Sequence, residues 1–389
     1  IVVHYEGEKP FAEILQETTV SSPDYSRISG LNVREAGLTA KRELESDLNQ
    51  FPSPYLTGVF DSLMLHPYEL HATNETNRSC PYSCSFCNWG SAVLQKLRAF
   101  DLEMLYEEFE WFGKQRIELL YNSDSNWGIL PRDLALTERL VKVKEKFGYP
   151  KQFRAAYAKK GAEKLFAIAK ALNDAGMSKG VTLSFQSMDE NTLKTIRRQN
   201  IGIAVFERLM SWYHKEKIPT YTELIMGLPG ETYTSFVSGI DQLLRAGQHD
   251  SLNIYLCSVL VGSEMSEPNY IETHDIETVR MPILQQHRST TAEEIVEYND
   301  VVVATKTLSR DAWKRMYMFS WVVQSFHCLA LAQYIALLVR RIYGISFQEF
   351  YEGLLVFMQK HPESLLGREY RKTDVVVGRA LSGEKWDIV

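Results

Sequence analysis

Three cysteines lie close together in the stretch Asn77-Arg78-Ser79-Cys80-Pro81-Tyr82-Ser83-Cys84-Ser85-Phe86-Cys87-Asn88-Trp89-Gly90. A structural zinc site usually takes four nitrogen or sulfur ligands in two close pairs, and no second pair follows here. An ordinary [4Fe–4S] cluster takes four thiolates, so three thiolates on one loop would leave one iron without a protein ligand. An open metal position is typical of a catalytic centre. The alternative is a zinc knuckle that a remote residue completes, such as Cys257 or His71.

The composition is that of an ordinary soluble globular protein. The 389 residues are 45% hydrophobic and 24% charged, with a net charge of −6. No segment is a basic run, so we expect neither nucleic acid nor a membrane as a partner. Five cysteines are too few for a disulfide scaffold, and an odd count with a tight triplet indicates metal in a reducing compartment. The first residues do not resemble a signal peptide, so we expect a cytoplasmic protein.

Short β-rich runs alternate six times with longer amphipathic runs. The β-rich runs are residues 68–73, 117–121, 153–157, 181–185, 220–226 and 252–256. Strands that alternate with helices predict βαβ units and a parallel sheet. Six units without a GxGxxG turn favour a barrel over a dinucleotide-binding fold. Active residues would then lie at the carboxyl ends of the strands.

We divide the chain into residues 1–37, 38–60, 61–270 and 271–389. Residues 7–11 read as a turn into a helix that begins at Pro10 and needs a sheet to cover, and the following segment supplies none. We therefore expect a further domain upstream. Residues 38–60 form a linker, because Pro52 and Pro54 fix an extended path. The fold class is α/β, with a barrel at 61–270 and a helix-rich, aromatic-rich region at 271–389.

Residues 319–339 carry no formal charge and are long enough to span a membrane. They also contain polar residues, among them Gln324, His327 and Gln333. We expect one buried helix of a large domain. The alternative is a membrane-facing or lipid-facing role.

The C-x3-C-x2-C spacing, with Phe86 just before the third cysteine, on the loop after the first strand of a six-unit barrel, resembles the radical SAM superfamily. The resemblance implies a partial (β/α)6 TIM-like barrel in which Cys80, Cys84 and Cys87 hold a [4Fe–4S] cluster. It also implies that the open iron binds S-adenosylmethionine (SAM), whose cleavage yields a 5′-deoxyadenosyl radical. A fixed chelate inside a closed barrel suits this chemistry, because it keeps the radical from water.

Other strand ends match the superfamily pattern and yield candidate SAM contacts. After the second strand, Asn122, Ser123 and Asp124 stand where the superfamily often has Gly-Gly-Glu. Because the sequence departs from that motif, they are candidates only as polar groups that accept the SAM ammonium. After the fourth strand, Ser184 and Gln186 share one face at the position that contacts ribose in the superfamily.

Three further candidates complete the SAM site that the resemblance implies. The run 223–232 looks like the adenine-proximal motif, in which Gly227 would allow close backbone approach. Phe86 and Leu256, at the end of the sixth strand, are the other two. Each polar strand-end residue taken alone would be interpreted as a cap or a turn. Their joint placement on three strand ends favours a cofactor site.

More of the chain resembles one branch, the cobalamin-dependent radical SAM enzymes, and especially the methylases that build the C6 side chain of carbapenem antibiotics. The segments that carry this resemblance are 7–11, 51–58, 75–78, 87–90, 186–188 and 287–291. It implies that Gly7 and Glu8 contact cobalamin at the end of a cobalamin-binding domain that is mostly absent from this chain. It also implies that methylcobalamin donates a methyl group to a substrate carbon radical, while two SAM molecules are consumed.

In that branch the substrate is a pantetheine-linked β-lactam. We therefore expect a small-molecule substrate and an external electron donor. A groove of aromatic side chains with polar handles would suit a pantetheine arm, and the candidates are Tyr317, Trp321, Gln324 and His327. The alternative is core packing of a buried helix.

Two residues near the motif leave alternatives open. Arg78 either tunes the cluster, contacts the SAM carboxylate or forms a plain surface ion pair. Cys257 is expected to be a buried, inert thiol.

The leading hypothesis is a cobalamin-dependent radical SAM C-methyltransferase that acts on an unactivated sp3 carbon of a natural-product intermediate. A second is a cobalamin-dependent radical SAM cyclase or ring-rearranging enzyme that transfers no methyl group. A third is a non-catalytic iron–sulfur protein that carries electrons.

Overall fold

The computed structural model describes residues 1–34, 36–65, 67–91, 96–178, 180–282 and 297–384. Its strands are β1 Val2–Val3, β2 Leu31–Val33, β3 Gly37–Leu38, β4 His71–Asn74, β5 Asn77–Arg78, β6 Arg98–Ala99, β7 Leu119–Asn122, β8 Gln152–Arg154, β9 Val181–Gln186, β10 Thr220–Met226, β11 Leu252–Leu256, β12 Glu277–Pro282 and β13 Tyr298–Ala304. Its helices are α1 Glu8–Thr18, α2 Asn88–Ser91, α3 Leu102–Lys114, α4 Asp133–Phe147, α5 Ala162–Asp174, α6 Glu190–Thr195, α7 Ile203–Lys215, α8 Tyr233–Arg245, α9 Pro268–His274, α10 Arg310–Val322, α11 Gln333–Tyr343, α12 Phe347–Lys360 and α13 Leu365–Leu381. The segment 287–291, which contributed to the resemblance, lies outside the described residues.

Six parallel strands form the barrel in two sheets of three, with the orders β4-β7-β8 and β9-β10-β11. Each of the six predicted β-rich runs overlaps one of these strands, so the six-strand prediction is confirmed. In the described ranges, no hydrogen-bonded ladder joins β8 to β9. The barrel is therefore two half-barrels that meet at a seam.

Burial alternates along the strands of the second sheet. On β9, Val181, Leu183 and Phe185 are buried against the helices, whereas Ser184 and Gln186 line the lumen. The expectation that the last two share one face is confirmed. A period of two places alternate side chains on opposite faces of the strand, so polar residues of β9 reach a lumen that apolar residues such as Ala155 and Leu209 also line.

The helices between the strands cover the outside of the barrel. On α5, Leu165, Ile168 and Leu172 are buried in the predicted 3–4 spacing, and Gly176 follows with a positive φ of 63°. Each such side chain contributes roughly 1.5–3 kcal/mol on burial. This packing fixes the carboxyl ends of the strands, where the functional loops begin.

The first 37 residues form a small antiparallel sheet, in the order β1-β2-β3, together with α1. Helix α1 begins at Glu8, before the predicted Pro10. Phe11 and Leu15 are 58% and 50% exposed, so the described residues do not bury the face that was expected to lie on a sheet.

The predicted linker is fastened to the barrel. Ser53 donates a hydrogen bond to buried Glu108 of α3 (2.5 Å), and the Tyr55 ring packs edge-on against Phe112 at 4.7 Å. The extended, proline-rich path therefore lies along α3. The four-part division of the chain stays a prediction.

The region after residue 270 is less purely helical than expected. Strands β12 and β13 pair antiparallel, and β13 also extends the second barrel sheet. The amide of Val302 donates to the Cys257 carbonyl (2.8 Å), and that of Val259 donates to the Asp300 carbonyl (2.9 Å). Helices α10 and α12 then pack on α8, and α13 packs on α10 and α12.

The apolar segment 319–339 is not one helix, so the prediction of a single buried helix there is wrong. Helix α10 ends at Val322, a π-helical turn covers Val323–Cys328, and α11 starts at Gln333 after a 95° bend. Ala330 in the break has a φ of 60°. Among the described residues, no single helix meets the length and hydropathy of a membrane span, although the bent pair of α10 and α11 meets them jointly.

Candidate active site

The three cysteines lie on the loop that follows β4 and β5 at the carboxyl end of the first half-barrel. Cys84 is buried, Cys80 and Cys87 are half-buried, and all three are free thiols. No group of three or more His, Cys, Asp or Glu side chains within the described ranges is placed to hold a single metal ion. The loop therefore offers no ready tetrahedral zinc site. A cubane needs more widely spaced thiolates, because each binds a different iron.

Asp124 fastens the start of the cysteine loop. Its carboxylate accepts hydrogen bonds from the amide and hydroxyl of Thr76 (2.7 and 2.5 Å) and from the amide and side chain of Asn77 (3.1 and 2.9 Å). Four donors saturate a carboxylate. The prediction that Asp124 accepts the SAM ammonium does not fit this arrangement, and the residue instead positions the loop.

Asn122 and Ser123 also make local hydrogen bonds. The Asn122 Oδ1 accepts from the Asp124 amide (3.2 Å), and the Ser123 hydroxyl donates to the Asn74 carbonyl (3.1 Å). The Asn122 Nδ2 and both polar side-chain atoms of Asn74 are buried without a hydrogen-bond partner in the described part of the chain. Unsatisfied buried amides are uncommon, and the contact of Asn122 with SAM stays a prediction.

The cysteine loop also bridges the two half-barrels. The Ser85 amide donates to the Ile196 carbonyl (3.0 Å), and the Ser85 carbonyl accepts from the Met265 amide (2.9 Å). The hydroxyls of Ser85 and Tyr270 are 2.9 Å apart. The loop therefore closes one end of the chamber across the seam.

Two cations approach Cys84, and sequence analysis identified neither. The Lys159 Nζ lies 3.7 Å from the Cys84 Sγ, and Cys84 also interacts electrostatically with Arg198. The Asn126 Nδ2 lies 3.3 Å from the Cys80 Sγ. Burial lowers the pKa of Arg198, and the neighbouring Cys84 opposes that shift. A buried and a half-buried cation near Cys84 stabilise negative charge on its sulfur.

Arg198 is held by the end of β9. Its Nε donates to the Phe185 carbonyl (3.1 Å) and to the Asn200 side chain (3.0 Å), and its Nη2 donates to the Ser184 carbonyl. Such fixed geometry suits a guanidinium that faces a charged centre. No local sequence signal marks it, because the residue lies far from the cysteines along the chain.

Arg78 is a structural hub. It forms ion pairs with Glu6 (3.2 Å), Glu8 (2.6 Å) and Glu75 (2.8 Å). Its guanidinium also lies over the rings of Phe51 and Phe100. Of the three alternatives left open, the ion pair fits, and it ties the N-terminal segment to the cysteine loop.

A cavity of about 420 Å³ fills the lumen between the half-barrels. Ser184 and Glu223 hydrogen-bond to each other across its wall, and Gln186, with a φ of 66°, lines it as well. Lys159, which lies 3.7 Å from the Cys84 sulfur, and Arg198 line the same cavity, so the lumen adjoins the cysteine loop. This arrangement can hold a reactive species away from bulk water.

A second cavity, of about 320 Å³, brings together Phe86, Gln186 and Leu256. Three of the predicted SAM contacts thus meet beside the cysteine loop. Gly227 serves packing instead: its φ is 96°, and a Cβ there would lie 3.1 Å from the Val302 carbonyl oxygen. Cys257 is buried, and burial raises its pKa to about 12, as expected for an inert thiol.

Gly7 and Glu8 line a cleft of about 810 Å³ between the N-terminal segment and the cysteine loop. The opposite wall includes Glu75, Ser79 and Trp89. The two predicted cobalamin contacts therefore face the cysteine loop across an open space.

The four predicted substrate residues lie in the helical region away from the lumen cavity, and their contact with substrate stays a prediction. His327 is fully buried, and its ring nitrogens lie 2.7 Å from the Tyr351 hydroxyl and 2.9 Å from the His249 Nδ1. Gln324 donates to the Leu252 carbonyl (3.0 Å), and Tyr317 and Trp321 pack against the main core cluster. Burial lowers the pKa of His327 to about 3. None of the four lines the lumen cavity.

Comparison with known proteins matches residues 74–243 to the radical SAM superfamily. The chain is 38% identical over 377 residues to the cobalamin-dependent radical SAM methyltransferase TokK of Streptomyces tokunonensis. It is equally identical over the same length to the 2-(S-pantetheinyl)-carbapenam-3-carboxylate methyltransferase of Streptantibioticus cattleyicolor. In both cases the match covers 95% of this chain and 55% of the relative, so the chain spans about half the length of these curated relatives.

Solved structures of similar fold include the radical SAM methyltransferase TsrM of Kitasatospora setae and the cobalamin-dependent radical SAM enzyme OxsB. TsrM matches with a TM-score of 0.56 at 16% identity, over 81% of this chain and 65% of its own. OxsB matches with a TM-score of 0.55 at 13% identity, over 98% of this chain and 56% of its own. The chain therefore contains a radical SAM domain, and over nearly its whole length it is similar in sequence to cobalamin-dependent radical SAM methyltransferases.

Proposed function

We propose that the protein is a cobalamin-dependent radical SAM methyltransferase that acts on an unactivated sp3 carbon. The observation that carries the proposal is the loop of three free cysteines beside the cavity of the barrel lumen. The proposed substrate is a pantetheinylated carbapenam carboxylate, as the name of one relative suggests. We further propose an external electron donor and a reducing, cytoplasmic setting, in which free thiolates persist.

The donor set fits a [4Fe–4S] cluster. Three free thiols share one loop, an amide hydrogen-bonds one sulfur, and two cations approach another. When bound, the cluster with SAM supplies a hydrogen-abstracting 5′-deoxyadenosyl radical, and methylcobalamin supplies the methyl group. Cys80, Cys84 and Cys87 would bind the cluster, and Arg198 and Lys159 would offset its negative charge.

Other residues of the chain orient the reactants. Asp124 positions the cysteine loop through Thr76 and Asn77. Phe86, Gln186 and Leu256 line the cavity in which we place the adenosyl moiety of SAM.

We place cobalamin in the cleft that Gly7 and Glu8 line, opposite the cysteine loop. The Arg78 hub joins the two walls of this cleft through Glu6, Glu8 and Glu75, and so would fix the separation of the two cofactors. Fixed positions of the reactants favour group transfer over side reactions.

The test is anaerobic incubation of the full-length protein with methyl-labelled SAM, methylcobalamin and the pantetheinylated carbapenam. We expect a product that is methylated with the label, together with 5′-deoxyadenosine and about four irons per chain. C84A should lose the irons and both products, whereas C328A, which removes a thiol outside the loop, should keep the irons. Cleavage of SAM without label in the product would favour a non-methylating radical enzyme, and the absence of 5′-deoxyadenosine would favour an electron carrier.

A further inference from the structure

We propose that Arg154 binds the carboxylate of the substrate inside the barrel and thereby selects for anionic substrates. This inference rests on the proposed function and adds to it a residue for substrate recognition. Arg154 is the last residue of β8, and it lines the 420 Å³ lumen cavity at the seam between the half-barrels.

The charged side chains that line this cavity are Arg154, Lys159, Arg198 and Glu223. Three of the four already have partners. Lys159 contacts the Cys84 sulfur, and Arg198 donates to the carbonyls of Phe185 and Ser184 in β9. Glu223 accepts a hydrogen bond from Ser184.

Arg154 differs, because its side chain forms no hydrogen bond, ion pair or ring contact with any residue that the structure describes. Its neighbour across the first sheet is Tyr121, in the register Tyr121↔Arg154, and Tyr121 lines the same cavity. The Arg154 side chain is exposed at the cavity wall, so its guanidinium is available to pair with an anion that enters the cavity. The planar fork of arginine matches a carboxylate in particular, because it can donate two parallel hydrogen bonds.

The position of Arg154 suits a substrate contact. Thr182 and Tyr221 line the lumen from the opposite half-barrel and offer further hydroxyl groups. Lys159, which contacts the cysteine loop, lines the same cavity as Arg154. A carboxylate at Arg154 would therefore hold the substrate in the chamber that the cysteine loop closes.

The experiment compares 2-(S-pantetheinyl)-carbapenam-3-carboxylate with its 3-carboxamide, which has nearly the same shape but no charge. Binding of each compound is measured anaerobically by equilibrium dialysis with the full-length, cofactor-loaded protein. KM and kcat are measured where turnover occurs. The variants are R154Q, R154K and the control K160Q, which removes a nearby exposed cation that pairs with Gln199 (3.0 Å) and does not line the cavity.

The natural protein should bind the carboxylate about 10- to 100-fold more tightly than the carboxamide, which is the range for a charge-assisted hydrogen bond. R154Q should lose this preference through a higher KM for the carboxylate, and R154K should fall between the two. K160Q should keep the preference. Iron content checks that each variant is folded and loaded.

The inference is overturned if R154Q keeps the preference, if the natural protein shows none, or if R154Q raises the KM for SAM instead. A preference that R154Q abolishes, in a protein that forms no methylated product, would support the Arg154 assignment and reject the methyltransferase proposal. If the natural protein binds neither compound, both proposals fail.

Discussion

The strand ends at the barrel mouth leave several buried side-chain amide atoms without a partner, whereas in the described part of helices α10–α13 the one such atom is the Trp313 Nε1. At the mouth, Asn74 and Asn122 keep buried polar atoms without a partner in the described chain. In the helices, His327 is paired at both ring nitrogens. Unsatisfied buried polar groups at strand ends are typical of a ligand site, whereas satisfied ones contribute to a unique core.

The largest expected effect comes from Asp124→Ala at the mouth. Removal of the carboxylate leaves up to four buried donors of Thr76 and Asn77 unsatisfied, so we expect the free energy of unfolding to fall by about 3–5 kcal/mol. The iron content after reconstitution should fall with it, because the loop loses its anchor. Urea denaturation and iron analysis measure the two effects.

Ser125→Ala is the matched control for Asp124. It removes a single hydrogen bond from the Ser125 hydroxyl to the Ser79 carbonyl (2.8 Å), so it should lower the free energy of unfolding by only about 1 kcal/mol. Equal effects of the two substitutions would show that Asp124 does not anchor the loop.

The second prediction contrasts the pH dependence of two buried groups. Burial raises the pKa of Glu231, at the start of α8, to about 8. The folded protein therefore binds more protons than the unfolded chain above the ordinary carboxyl range. The free energy of unfolding should fall by about 3 kcal/mol from pH 5 to pH 8, and E231Q should remove this dependence.

His327 should act in the opposite direction. Its pKa in the folded protein is lowered to about 3, so the unfolded chain binds more protons below about pH 6.5. The free energy of unfolding should then fall by about 2–3 kcal/mol from pH 6.5 to pH 4. H327Q should remove this dependence on pH. Urea denaturation at a series of pH values measures both pH dependences. If the pH dependence assigned to Glu231 or to His327 remains after E231Q or H327Q, respectively, that assignment is wrong.

The smallest expected effects come from two glycines. G227A places a methyl group at a φ of 96°, 3.1 Å from the Val302 carbonyl oxygen, and should lower the free energy of unfolding by about 1–2 kcal/mol. G353A in α12 meets no atom within 4 Å and should raise it by about 0.5–1 kcal/mol, because alanine favours helix. Thermal unfolding shows whether each substitution lowers or raises the stability. If G227A stabilised the protein, the backbone at the end of β10 would have to shift away from Val302.

Much of the fold could be predicted, because its signals are local. The alternation on β9 and the 3–4 spacing on α5 follow directly from the order of residues. The 95° bend after Cys328 could not be predicted, because the apolar composition of residues 319–339 suits both one long helix and two short ones. The same holds for the candidate site. The cysteine spacing could be recognised in the sequence, whereas the hydrogen bonds that Asp124 accepts from Thr76 and Asn77 could not.

The sequence by itself determined the three-cysteine loop, the six strands and the face shared by Ser184 and Gln186, since each depends on spacing along a few residues. Only the tertiary structure decided that Lys159 and Arg198 meet Cys84, that Asp124 anchors the loop and that the Arg154 side chain stays without a partner among the described residues. These facts depend on which strand ends meet across the barrel. Packing and strand register decide which strand ends meet. The residues that meet are too far apart along the sequence for a local pattern to predict their contact.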